Sequence, residues 1–94
     1  MKRLLKDYWK LTQEASAIYE ELDAFCSVDE KRLKKYKRRI DAIKRKSGNC
    51  EERFWLIVKE TPFRELFDVF ESDLAALRAV RLASEAFESL GATV

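Results

Sequence analysis

The sequence predicts an all-α protein, a small antiparallel bundle of about four helices with the third one short. Three observations carry that expectation. Apolar residues recur at steps of three and four over most of the chain. The two glycines and the single proline fall where helices would end. Only residues 54–58, Phe-Trp-Leu-Ile-Val, suit a strand by propensity, and no second such run exists to pair with them. Ninety-four residues make one domain, 1–94, with room for a single modest core. A hydrophobic fraction of 47% excludes a disordered chain, despite 38% charged residues.

The first helix is expected over residues 3–26. Leu4, Tyr8, Leu11, Ala15, Ile18, Leu22 and Phe25 follow one another at alternating steps of four and three. That is a heptad stripe, widened by Trp9, Ala17 and Tyr19. Ser27 and Glu30 then read as a capping box, so the second helix starts at Val28. Ser47-Gly48 reads as its end, with Gly48 free to adopt the left-handed conformation that closes helices. Asn49 with Glu52 repeats the cap signature, so a short third helix starts near Cys50. Its run 54–58 is apolar on every side and is expected to be the most buried piece. Thr61-Pro62 suits the start of a fourth helix, 62–90, closed by Gly91. Phe63, Phe67, Phe70, Leu74 and Leu77 form one stripe on it. Val69, Ala76, Val80, Ala83, Phe87 and Leu90 form another beside it. Two adjacent stripes make a wide buried face, with apolar surface enough for a homodimer.

Cys26 and Cys50 would flank the second helix at opposite ends, too far apart for a disulfide. Two free thiols fit a reducing, cytoplasmic compartment. Cys50, at a helix N-terminus, would be the more reactive of the two.

Function is narrowed mainly by absences. The chain has no histidine and no glycine-rich phosphate loop. This leaves no Ser-His or Cys-His pair, and two distant cysteines do not make a zinc site. The E-x-x-D at Glu65 and Asp68 lacks an upstream E-x-x-E that would complete a helical magnesium site. The expectation is a non-enzyme without cofactor. The longest uninterrupted apolar run has five residues, and no apolar stretch follows the basic start of the chain. Neither a transmembrane helix nor a signal peptide is expected.

The positive signal is residues 31–46, KRLKKYKRRIDAIKRK. Ten are Lys or Arg and only Asp41 is acidic, +9 in a chain of net +2. Residues 1–30 carry −3 and residues 47–94 carry −4, so the near-neutral total hides a charge-segregated molecule. On a helix, Leu33, Tyr36, Ile40 and Ile43 form a thin docking seam. The cations fall into heptad rows: Lys31, Arg38 and Arg45; Arg32, Arg39 and Lys46; Lys37 and Lys44.

Such rows suit a phosphate backbone, contacted with little sequence readout. The expected function is a non-catalytic nucleic-acid-binding protein, or a small helical subunit of a nucleoprotein complex. Lys31, Lys34, Lys35, Arg38, Arg39 and Arg45 are the candidate phosphate contacts. The alternative is a protein–protein adaptor or dimeric regulator whose basic helix meets an acidic partner surface. A third reading gives the tract no ligand at all. Carboxylates of the first and fourth helices, among them Glu14, Glu21, Asp68 and Asp73, would neutralise it from within.

Overall fold

A computed structural model describes residues 1–25 and 28–92. Among them are three α-helices and no strand: α1, Lys2–Asp23; α2, Glu30–Glu60; and α3, Phe67–Ala92. One 3-10 turn, Phe63–Glu65, precedes α3. Cys26 and Ser27 lie outside the described residues.

The helix count is the main correction, three rather than four. The expected second and third helices are one continuous helix of 31 residues. Gly48 sits inside it with no positive φ. The reason is packing. The buried positions Tyr36, Ile40, Ile43, Ser47, Cys50 and Phe54 keep steps of four and three straight across the glycine. Ser47 and Cys50 are small members of one seam, and burying that seam outweighs the roughly 1 kcal/mol that a mid-helix Gly costs relative to Ala. A Cβ added at Gly48 would meet nothing within 4 Å. Gly48→Ala is therefore expected to stabilise the protein by about 0.5–1 kcal/mol, raising Tm by about 4–8 °C per kcal/mol for a domain this small. Thermal melts followed by circular dichroism would check it; an unchanged or lower Tm contradicts an unbroken α2.

The helix ends are corrected in the same way. Asp29 caps α2, its side chain accepting from the Arg32 backbone N–H at 2.8 Å. Thr61 closes α2 in an extended conformation, as the residue before a proline prefers. The turn at residues 63–65 intervenes before α3 begins at Phe67. Gly91 lies within α3, with no positive φ.

The three helices pack side by side in a rod of 48 × 18 × 18 Å. At 1.5 Å per residue α2 spans about 46 Å, the full length of the molecule. The α1 stripe is buried as its spacing requires, from Leu4 to Leu22. Between α1 and α2 runs a ladder of ion pairs: Glu21 with Arg39 at 2.9 Å, Glu14 with Lys46 at 2.8 Å, and Asp7 with Arg53. The residue numbers of each pair add to 60, so the acids step down α1 by seven as the cations step up α2 by seven. These pairs are half-exposed and worth at most about 1 kcal/mol each. Their role is to fix the antiparallel register.

Burial differs from expectation at the α2–α3 junction. Phe54 is 3% exposed, but its neighbours Trp55 and Leu56 are 58% and 64% exposed. Phe63 and Phe67, placed in a core stripe by spacing, are 82% and 66% exposed. An 18 Å-wide rod of three helices has too few neighbours to cover a helix that is apolar all round.

One polar cluster lies inside the bundle. The Tyr8 hydroxyl donates to Asp73 Oδ1 at 2.8 Å and lies 3.4 Å from the Cys50 carbonyl oxygen. One Glu51 carboxylate oxygen, Oε1, is buried without a hydrogen-bond partner. A neighbouring carboxylate, Asp73, together with desolvation, pushes the Glu51 carboxyl up to about 7. Glu51 thus keeps its proton well above the ordinary carboxylate range. Cys50 is mid-helix and buried, and burial pushes its thiol up, the reverse of a reactive cysteine.

Candidate nucleic-acid interface

The basic tract forms the first half of α2, and its three heptad rows meet two different surroundings. The row containing Arg39 and Lys46 turns toward α1. The Arg39 guanidinium bonds Glu21 through both terminal nitrogens, at 3.1 and 2.9 Å, and stacks over the Tyr36 ring at 5.3 Å. That contact holds the Glu21 carboxyl below its ordinary range. Arg32 opens the same row and lies over the Phe25 ring at 5.3 Å. Stacking leaves its donors free to meet an anion.

The other two rows point to solvent. Lys31, Lys34, Lys35, Lys37, Arg38, Lys44 and Arg45 are all exposed. Among the described residues, none of the seven has a carboxylate within 4 Å of its charged nitrogen atoms, and neither has the Arg32 guanidinium. Two of the ten tract cations, Arg39 and Lys46, are thus neutralised by α1, and eight are not. The α3 carboxylates make no ion pair with the tract.

Of the six sequence candidates, four come together. Lys31, Lys34, Lys35 and Arg38 line one open depression of about 670 Å³, with Arg32 and Asp29. Asp29 is spoken for as the helix cap. Arg45 lies outside the depression, two turns further along the same outward row. Arg39 lies outside it as well. Arg32 joins the depression but was not among the candidates. Its signal was legible, since it stands three residues after the cap at Asp29 and next to Lys31.

The depression offers five cations on a rigid helix, with no buried polar pocket to read a base edge. Chemically the arrangement can meet anions spaced along a chain. Among the described residues, no helix is long and apolar enough to cross a membrane. No protein-family model, no curated protein and no solved structure matches this chain.

Proposed function

We propose that this protein is a non-catalytic, cytoplasmic binder of nucleic-acid backbone, or a small helical subunit of a nucleoprotein complex. One observation supports the reading above the others: eight of the ten tract cations have no carboxylate partner among the described residues, and four of them line one depression with Arg32. Like charges at i,i+4, such as Lys31 with Lys35 and Lys34 with Arg38, cost roughly 0.2–0.5 kcal/mol each. A protein without an anionic ligand gains nothing from that cost. Lys31, Arg32, Lys34, Lys35 and Arg38 are the proposed contacts, extended along the helix by Arg45. Arg39 acts one step back, holding α2 to α1 through Glu21.

Binding is expected to be insensitive to sequence and steeply dependent on salt. Four to six phosphate contacts on duplex DNA give a log–log slope of about −4 to −5. Charge reversal at Lys34 and Arg38 should weaken binding by at least about tenfold and flatten that slope by about two. Reversal at Lys6 and Lys10, exposed on α1, serves as the control for net charge. Fluorescence anisotropy with duplex and single-stranded DNA and RNA reads all of this. No binding at about 50 mM salt eliminates the nucleic-acid reading. If an acidic protein is retained by the wild type and lost by the reversal variant instead, the tract serves the adaptor function.

A further inference from the structure

We propose that the outward face of α3 is a self-association surface, which packs antiparallel against the same face of a second copy of this chain. It is independent of the anion-binding reading, because it lies on another helix and either can fail alone.

The first observation is exposure. Phe67 and Leu74 are each 66% exposed, Leu77 39% and Leu82 37%. They sit on the side of α3 turned away from the buried Val69, Ala76 and Ala83. Leu74 and Leu77 line an open depression with Glu71, Ala75, Arg78 and Arg81. A small protein that leaves this much apolar surface on one helix marks an interaction site.

The second observation identifies the partner. The charges on this face are arranged as a palindrome. Asp68 and Glu71 occupy its N-terminal half, and Arg78 and Arg81 its C-terminal half. Two copies related by a two-fold axis between Leu74 and Ala75 would bring each residue level with the one whose number completes 149. Glu71 then meets Arg78 twice, because residues seven apart share one position on the face, while Asp68 and Phe67 come level with Arg81 and Leu82. At the axis itself stands Leu74 beside Ala75, which is small enough for two helices to approach closely. A two-fold interface must be self-complementary in this way. A face designed for an unrelated partner has no reason to be. The one contact made within the chain here, Arg81 with Glu85 at 3.8 Å, is exposed and weak enough to be exchanged.

The test uses charge exchange on the full chain, with mass read by light scattering at about 100 μM, well above a micromolar dissociation constant. Wild type is expected to be a dimer. A chain carrying Asp68→Arg and Glu71→Arg, and another carrying Arg78→Glu and Arg81→Glu, are each expected to be monomeric. An equimolar mixture of the two should restore the dimer mass. Leu74→Asp, at the axis, should also be monomeric, with the four charges at positions 68, 71, 78 and 81 left as they are. Melting curves establish that each variant is folded, and all five positions are exposed. A monomeric wild type overturns the proposal. So do charge-exchanged chains that remain dimeric alone, and a mixture that stays monomeric.

Discussion

Replacing Tyr8 by alanine is expected to cost about 3–5 kcal/mol, the range for removing a large buried aromatic side chain. Domains of this length have a total stability of roughly 5–14 kcal/mol, so the loss is a large part of the whole. Tyr8 is 1% exposed and touches both other helices, through the Cys50 carbonyl on α2 and the Asp73 carboxylate on α3. Tyr8→Phe separates the two contributions. It keeps the ring and strips Asp73, 8% exposed, of its donor. A buried acceptor left without a partner costs about 1–3 kcal/mol. Urea unfolding of the three proteins measures both effects. A phenylalanine variant as stable as wild type would mean that the packing of the ring carries the whole contribution and the hydroxyl none.

Stability is expected to fall as pH rises from about 4.5 to about 7, and Glu51 is the cause. Its carboxyl titrates at about 7 in the folded chain against 4.5 when unfolded. Between these values the folded state holds a proton that the unfolded state has released, so raising pH favours unfolding. The contribution is complete below 4.5 and lost once pH passes 7. The groups facing Glu51 are Asp73 on α3, Tyr8 on α1 and Cys50 on α2 itself. Burial keeps the Tyr8 hydroxyl protonated throughout, so it does not compete in this window. Glu51→Gln replaces the titrating carboxyl by an amide that stays neutral at every pH. Allowing for solvent screening, the variant should be more stable than wild type by about 2 kcal/mol at pH 8, with little difference at pH 4. Urea denaturation at the two pH values decides it. A Gln variant with the same pH slope as wild type would show that Glu51 is not the group that titrates in this window.

Much of the fold was legible because helices declare themselves by period. The α1 stripe from Leu4 to Leu22 is buried residue for residue. The seam of α2 was visible too, up to Ile43. It was lost at Ser47-Gly48-Asn49, where local chemistry says stop and long-range packing says continue. Ser47 and Cys50 held the period, but small residues carry little apolar signal. Phe63 and Phe67 failed for a related reason: periodicity shows which residues share a face, not how many faces the other helices can cover. The candidate interface was legible in part. Spacing alone separated the cation rows, but the row that turns inward is chosen by carboxylates on α1, one heptad apart, whose register the α2 sequence does not contain. Arg39 was therefore grouped with cations that the fold sets on another side of the helix.

The ladder between α1 and α2 also constrains how the chain can change its length. One residue added inside either helix turns everything beyond it by about 100°. It would carry half of a buried stripe to the surface and separate Glu14 from Lys46 or Glu21 from Arg39. A residue added between Asp23 and Glu30 renumbers the pairs without turning either helix, so the ladder itself stays in place. Insertions are thus quantised: free between the helices, disruptive within them, and tolerable there only as whole heptads added to both partners at once. Variants of this protein that still fold should differ in length according to that rule.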